Sequence, residues 1–186
     1  MLQTIFIDVD DVIKPWAACA LRLVYPQITV EEIGDITAAG IRGDAFRSHF
    51  GGAQGLHDIV DAAGYSFWAD MPSFDYAHEL IKLCYTCVPS VRLAFLTSPS
   101  SWPISAAAKL ACLPKEFPGI PVIVTHAKHF CARPDAFLID DHLENCEMFT
   151  AVGGYAYNWS SNYKLDPCAM FLQIPNRLRR WIKETA

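Results

Sequence analysis

The chain lacks the features that mark several common classes of protein. Its charge-free stretch at residues 93–108 contains two prolines and several serines, so it is poorly suited to span a bilayer. A secretory leader is not expected, because Asp8 interrupts the N-terminus before an apolar core of sufficient length. Internal repeats and low-complexity tracts are also absent from the sequence. These absences predict a globular protein without a membrane partner.

The chain has no excess of positive charge. Its 15 Lys and Arg residues are outnumbered by 20 Asp and Glu residues, which gives a net charge of -5. Extensive binding to nucleic acid is disfavoured, since that affinity comes mainly from cationic side chains on phosphates. The basic run at residues 177–183 leaves a local patch open, although such a run is more often the solvated face of a helix.

The cysteines lack the pattern of a disulfide framework or a zinc site. There are seven of them, an odd number, and they are dispersed along the chain. Cys84 and Cys87 form a lone CxxC, and a zinc site needs further ligands at a partner spacing. We therefore predict reduced thiols in a cytoplasmic protein, with Cys84 and Cys87 as a pair in the core face of a helix.

Apolar residues are plentiful, at 52% of a chain of 186 residues, and support a single α/β domain with a small insertion. Apolar, β-branched segments alternate with helical patterns at residues 75–84, 101–112 and 143–149. Asp75 is a possible cap of the first of these helices. This alternation predicts a parallel sheet with helices on both faces. The predicted strands are residues 3–8, 92–97, 121–125, 136–140 and 154–158.

The stretch between the first two strands does not follow this alternation. It contains no convincing strand, and Thr29 to Glu32 matches a capping box that begins a helix. We predict a helical cap at residues 15–72, inserted in a core domain formed by residues 1–14 and 73–186. The cap would overhang the carboxyl ends of the strands. Its aromatic residues suit either a mini-core or a substrate lid, and those assigned to the lid are Phe46, Phe67 and Trp68.

Paired acids follow two of the predicted strands. Asp8 and Asp10 come after the apolar run of the first strand, and Asp140 and Asp141 end the fourth. The carboxyl ends of parallel strands lie at one edge of a sheet, where open α/β sheets bind ligands. Carboxylates so close together repel, and a hard divalent cation such as Mg²⁺ relieves that repulsion. A solvated turn is the alternative for either pair taken alone.

Two further segments carry groups suited to a phosphate. Thr97 and Ser98 end the second strand, and hydroxyls with adjoining backbone N–H groups at such a turn can cradle a phosphate. Lys128 follows the third strand, where a cation could neutralise both a phosphate and a carboxylate. Each of these signals is weak by itself, since Thr-Ser-Pro is also ordinary turn chemistry.

The ordered set of these residues resembles the four motifs of the haloacid dehalogenase (HAD) superfamily of phosphotransferases. The resemblance covers residues 5–141. The chain length, the helical insertion, the triplet at residues 97–99 and the ending at residues 138–141 are more narrowly similar to the 5'(3')-deoxyribonucleotidase branch. The stretch at residues 157–159 also resembles that branch.

The resemblance implies a Rossmann-like fold and an aspartyl-phosphate mechanism. Asp8 would attack phosphorus, and Asp10 would protonate the leaving oxygen and then activate water. The implied ligands of Mg²⁺ are Asp8, Asp10 through its backbone carbonyl, Asp140 and Asp141. The implied phosphate-binding residues are Thr97, Ser98 and Lys128. The expected substrate is a small phosphomonoester, most simply a nucleoside monophosphate.

Two residues depart from the pattern of that branch. Asp11 stands where glycine is usual, and it would either point away as a helix cap or tune the site. His142 stands where a lysine is familiar. The alternatives that stay open are a 3'-phosphatase of nucleic-acid ends and a non-catalytic binding module. The sequence also leaves the oligomeric state open, a homodimer included.

Overall fold

The computed structural model describes residues 3–38, 40, 43–100, 103–160, 163 and 167–185. The strands are β1 (Thr4–Ile7), β2 (Arg92–Thr97), β3 (Val122–Val124), β4 (Ala136–Asp140) and β5 (Tyr155–Asn158). The helices are α1 (Trp16–Val24), α2 (Val30–Thr37), α3 (Asp44–Ser48), α4 (Ala53–Ala69), α5 (Ala77–Cys87), α6 (Pro103–Glu116), α7 (Leu143–Ala151) and α8 (Pro167–Thr185), and a 3₁₀ helix spans Lys128–Cys131. None of the helices in the described ranges is long and apolar enough to cross a membrane.

All strands of the sheet run parallel, in the order β3-β2-β1-β4-β5. The chain moves outward from β1 to β3 and then returns to place β4 on the other side of β1. Ile7 pairs with Phe95 of β2 and with Ile139 of β4. The order therefore reverses between β1 and β4, and such a switch point is where open α/β sheets bind their ligands.

Apolar side chains cover both faces of the sheet, as the alternation of strands and helices predicts. Ile5 and Ile7 lie on one face, in a core shared with α5 and α8. Phe6 lies on the other, in a smaller core with Leu138 and with Phe149 of α7. Complete burial of each such isoleucine contributes roughly 1.5–3 kcal/mol to stability. The α/β fold with a Rossmann-like parallel sheet is confirmed.

Helices α1–α4 form a second cluster above the carboxyl ends of the strands. Their apolar residues pack around Phe46 and Trp68, and the cluster also includes Ala108 of α6. The capping box at Thr29 is confirmed, with its hydroxyl accepting from the N–H of Glu32 and the Glu32 carboxylate accepting from the N–H of Thr29. Helix α4 is interrupted at Gly64, whose φ of 69° lies in the left-handed region that glycine tolerates.

Lys14 ties the two predicted parts of the chain together at their junction. Its ammonium donates to the Met71 carbonyl at 2.8 Å and to the Ser73 hydroxyl at 3.3 Å. It also pairs with Glu116 of α6 at 2.7 Å. The division at residues 14/15 and 72/73 stays a prediction, and the structure places a partly buried ion pair beside it.

Several boundaries differ from the sequence prediction. Helix α5 begins at Ala77 with Tyr76 at its N-cap and no side-chain cap, so the expectation that Asp75 caps it was wrong. Strand β3 is shorter than predicted, and Pro121, which has no N–H to donate, lies just outside it. The predicted helix at 101–112 begins at Pro103 in the described part and continues to Glu116, while residues 101–102 lie outside the described residues.

Candidate active site

The two predicted acid pairs meet at the switch point of the sheet. Asp8 directly follows β1 and Asp140 ends β4, and the pairing of Ile7 with Ile139 brings them side by side. One carboxylate oxygen each of Asp8, Asp140 and Asp141 lie within 4.8 Å of one another. Asp8 is 3% exposed and Asp140 is completely buried. The predicted convergence of these acids is therefore confirmed.

Lys128 lies between the two buried aspartates. Its Nζ is 2.8 Å from Asp8 Oδ1 and 2.7 Å from Asp140 Oδ2, and the residue is only 2% exposed. Burial by itself lowers the pKa of Lys128, but the charges of Asp8 and Asp140 outweigh that effect and raise the pKa overall. The structure thus places the predicted cation of the loop after β3 directly against the predicted nucleophile.

Asp140 is held by several hydrogen bonds besides Lys128. Its Oδ1 accepts from the His142 N–H at 2.9 Å and from the Asn145 side chain at 3.0 Å. The Asn158 side chain, from the end of β5, donates to the carbonyls of Asp140 and Asp141 at 3.3 and 3.0 Å. Burial and then the charge of Asp8 raise the pKa of Asp140, against the opposing charge of Lys128. These contacts fix the loop after β4 in one position.

Asp10 contacts a lysine that the sequence analysis missed. Lys109 of α6 is 4% exposed, and its Nζ lies 2.6 Å from Asp10 Oδ2. The same ammonium donates to the Thr97 hydroxyl at 3.0 Å and to the Ser98 carbonyl at 2.9 Å. Lys109 thereby joins the loop after β1 to the turn after β2. No local signal distinguishes it in the sequence, because the same helix also carries Lys115 and Glu116.

Asp11 serves as the helix cap that was one of its two predicted roles. Its Oδ1 accepts a hydrogen bond from the Ala17 N–H at 3.0 Å. This N–H belongs to the first turn of α1, and Pro15 at the N-cap has no side-chain acceptor for it. Asp11 also accepts from the Tyr163 hydroxyl at 2.5 Å. Its φ of 56° explains why glycine would suit this position. Burial raises the pKa of Asp11 to about 7, against the two hydrogen bonds that lower it.

A cavity of about 250 Å³ opens beside these acids, between the sheet edge and helices α1–α4. Asp10, Asp11, Ser98 and Asp141 line it on the sheet side. We call this side the sheet wall. A phosphomonoester that enters from the cap would therefore meet two of the predicted acids and one of the predicted hydroxyl groups.

The opposite side of the cavity comes from the helical segment. Its polar and aromatic lining consists of Trp16 from α1, Arg47 from α3, and His57, Asp61 and Trp68 from α4. We call this side the helical wall. The sequence analysis singled out only Trp68 among these five residues, because charged residues in an irregular helical segment carry no signal of the cavity that they share.

The three predicted lid aromatics occupy different places. Trp68 lines the cavity, and Lys109 lies 4.9 Å from the centre of its ring. Phe67 packs edge-on against Trp68 at 5.0 Å between ring centres. Phe46 is completely buried and packs between Trp16 and Phe50, which corresponds to the mini-core alternative. The structure thus brings one of the three to the cavity surface and places another in the interior of the helical cluster.

The donors at the sheet edge fit a hard divalent cation. Three carboxylates within 4.8 Å of one another supply the oxygen ligands that Mg²⁺ prefers. In the described part of the chain, Asp10 Oδ1 is a buried carboxylate oxygen without a hydrogen-bond partner. A cation bound among these acids would offset the repulsion that they exert on one another.

Comparison with known proteins finds similarity at the level of structure. No protein-family model matches the chain, and no curated protein matches it. A haloacid dehalogenase-like hydrolase from Xanthomonas campestris is 11% identical, with a TM-score of 0.55, over 98% of this chain and 94% of that one. A HAD family hydrolase from Deinococcus radiodurans, solved with phosphate and sodium, is 12% identical with a TM-score of 0.54, over 99% and 96% of the two chains.

A third solved structure gives the same picture. The HAD-hydrolase YfnB from Bacillus subtilis, bound to magnesium, is 16% identical with a TM-score of 0.51, over 83% of this chain and 85% of that one. The similar structures thus each cover most of this chain. The chain has the fold of the HAD hydrolases.

Proposed function

We propose that this protein is a Mg²⁺-dependent phosphatase that hydrolyses a small phosphomonoester through an aspartyl-phosphate on Asp8. The observation that carries the proposal is the meeting of Asp8, Asp140 and Asp141 at the switch point. Lys128 lies against Asp8 and Asp140, and Asp10 pairs with Lys109 at the adjoining cavity. The solved HAD hydrolases with bound magnesium or phosphate support the same assignment.

Asp8 is the proposed nucleophile. Its Oδ1 is held by the Val9 N–H at 2.7 Å and by Lys128 at 2.8 Å, so the carboxylate is fixed before substrate arrives. One oxygen of Asp8 would attack phosphorus, and the bond from phosphorus to the leaving oxygen would break. The negative charge that develops is the kind that a buried ammonium at this position stabilises.

Asp10 is the proposed general acid and base. It lines the cavity and would give a proton to the leaving oxygen, which departs as an alcohol. It would then take a proton from the water that attacks the aspartyl-phosphate, so that Asp8 and inorganic phosphate are released. Lys109 orients Asp10, and the Ser98 hydroxyl borders the place that we assign to the phosphoryl oxygens.

Asp8, Asp140, Asp141 and the Asp10 backbone carbonyl are the groups that we propose to hold Mg²⁺. The ion would supply charge neutralisation that lets an anionic carboxylate approach an anionic phosphate. Asn145 and Asn158 support this role indirectly, because they position the loop after β4.

A nucleoside monophosphate is the proposed substrate. The indole rings of Trp16 and Trp68 at the cavity suit a heterocyclic leaving group, although one face of Trp68 is near Lys109. The resemblance to the 5'(3')-deoxyribonucleotidase branch supports the same substrate class. The basic residues of α8 are exposed on the face opposite its buried stripe, as expected for a solvated face, and give the nucleic-acid alternative little support.

The test is phosphate release by the purified protein from a panel of ribo- and deoxyribonucleoside 5'- and 3'-monophosphates and phenyl phosphate, with Mg²⁺ and with EDTA. We expect turnover that requires Mg²⁺. Absence of turnover on every substrate would remove the enzymatic proposal, and phosphate binding without turnover would favour the binding module. If an oligonucleotide with a 3'-phosphate end is hydrolysed in preference to the mononucleotides, and its hydrolysis falls steeply with salt, the 3'-phosphatase is favoured.

A further inference from the structure

The helical wall carries polar atoms that nothing in the described residues satisfies. Asp61 Oδ1, Trp16 Nε1 and Trp68 Nε1 are shielded from solvent and have no hydrogen-bond partner there. All three residues line the same cavity, and Trp68 is only 5% exposed. On the sheet wall, Asp10 and Asp11 each bind a donor through one carboxylate oxygen, and the other oxygen of each has no partner in the described residues.

Unpaired polar atoms of this kind are costly. Each shielded donor or acceptor without a partner destabilises the folded state, so native proteins keep few of them. Three of them on one wall of one cavity indicate that a bound molecule pairs with that wall. Small side-chain adjustments on binding would expose the atoms to it.

The chemical types of these atoms restrict what they can bind. The Asp61 carboxylate is an acceptor and repels a phosphate group, so it requires a donor on the part of the substrate remote from phosphorus. The two indole N–H groups are donors only and require acceptors. A leaving group that carries both donors and acceptors, such as a nucleoside or a sugar, meets these requirements, and a purely apolar alcohol does not.

We infer that Asp61 is a specificity-determining residue that accepts a hydrogen bond from a hydroxyl or N–H group on the leaving group of the substrate. This inference rests on the proposed phosphatase function and deepens it. A site built to bind a donor discriminates strongly against an analogue that lacks it, because the acceptor is then left unpaired. Asp61 is therefore a recognition residue, separate from the groups that act on phosphorus.

The test compares two substrates in three variants. Asp61→Asn and Asp61→Ala both remove the carboxylate, and Asp58→Asn is the matched control, since Asp58 is an exposed acid one turn earlier in α4. The substrates are nucleoside 5'-monophosphates, whose leaving groups carry donors, and phenyl phosphate, whose leaving group carries no donor beyond the reacting oxygen. The quantity measured is kcat/KM for each combination of protein variant and substrate.

We expect Asp61→Ala to lose 10-fold or more in kcat/KM on the nucleotides, and Asp61→Asn to lose less because its amide oxygen still accepts a hydrogen bond. Both variants should stay within twofold of wild type on phenyl phosphate. Asp58→Asn should change neither. The phenyl phosphate activity also shows that each variant is folded. Equal losses on both substrates, or no loss on either, would overturn the inference.

The inference and the proposed function fail in different ways. A wild-type protein that hydrolyses phenyl phosphate but none of the nucleotides would overturn the role of Asp61 and leave the phosphatase standing. A wild-type protein that hydrolyses neither substrate would remove the phosphatase itself, and the inference with it.

Discussion

The two walls of the cavity differ in how their polar groups are held. On the sheet wall and just beneath it, Asp8, Asp10 and Asp140 are each held by a lysine at 2.6–2.8 Å. On the helical wall, Asp61 and two indole groups have atoms without partners in the described residues. The difference teaches that each carboxylate proposed for chemistry is oriented by a lysine, whereas the atoms proposed for recognition are left for a ligand to satisfy.

The sheet supplies the rigidity behind this contrast. Strands β1 and β4 hold Asp8 and Asp140 in register through the pairing of Ile7 with Ile139, and both strands are buried. The helical wall comes from three separate helices joined by loops, and α4 is interrupted at Gly64. Groups that stabilise developing charge act best when a rigid element such as the sheet holds them in place. Groups that adapt to a leaving group are better placed on separate helices joined by loops.

Among changes to the carboxylates that are held by lysines, Asp8→Asn is expected to have the largest effect on turnover. It removes the proposed nucleophile with almost no change in volume, so turnover should fall by about 10³-fold or more while the protein stays folded. Phosphate release and circular dichroism measure the two quantities. Retained turnover in a folded Asp8→Asn protein would assign the chemistry to another group.

Asp140→Asn should weaken binding of Mg²⁺ by about 10–100-fold or more, since loss of even an indirect partner of a metal ligand has effects of that size. Asp140 is completely buried at the centre of the acid cluster. The measurement is the rise in melting temperature of the protein on titration with Mg²⁺. Asp135→Asn is the control, because Asp135 pairs with Arg133 away from the acids that form the cluster. Equal Mg²⁺ affinity in Asp140→Asn and wild type would contradict the proposed site.

Lys109→Met tests whether the orientation of Asp10 matters for turnover. We expect kcat to fall by about 10–100-fold, because Asp10 and the Thr97 hydroxyl lose a shared, buried cation. Lys115→Met on the same helix is the matched control, since Lys115 is exposed and should leave kcat unchanged. An equal kcat in both variants would show that Lys109 is only a packing residue.

Lys14→Met is expected to have the smallest effect and to act on stability. It leaves Glu116 and the Met71 carbonyl without their donor, at a cost of about 1–3 kcal/mol in the free energy of unfolding. Lys82→Met is the comparison, because Lys82 and Glu79 form an exposed pair at 3.8 Å that contributes about 1 kcal/mol at most. Urea unfolding measures both. Equal losses would mean that the contact between the predicted cap and the predicted core does not depend on Lys14.

Local pattern alone predicted the frame of the molecule. Strand β2 and strand β4 have the predicted bounds, and Ile174, Leu178 and Trp181 form the buried stripe of α8. Strands repeat apolar residues every two positions and helices every three to four, so both patterns are visible in short stretches of the sequence. The capping box at Thr29 was predictable for the same reason, since its partners are three residues apart.

Local sequence patterns could not predict the contacts between residues far apart in the chain. Lys109 is 99 positions from Asp10, and Tyr163 is 152 positions from Asp11. Nothing near Lys109 in the sequence distinguishes it from an exposed helical lysine. The assignment of Asp75 as a cap was wrong because the helix begins at Ala77, which places Tyr76 and not Asp75 at the N-cap.

By itself the sequence determined a parallel α/β sheet with acids at the carboxyl ends of two strands, because side-chain periodicity and strand-end chemistry are local properties. Only the tertiary structure decided that the buried Lys109 lies against Asp10, and that Asp61 and two indoles share the cavity opposite the acids. The physical reason is that ion pairs and cavity walls form between residues far apart in the chain, whose distances are set by how the helices pack on the sheet.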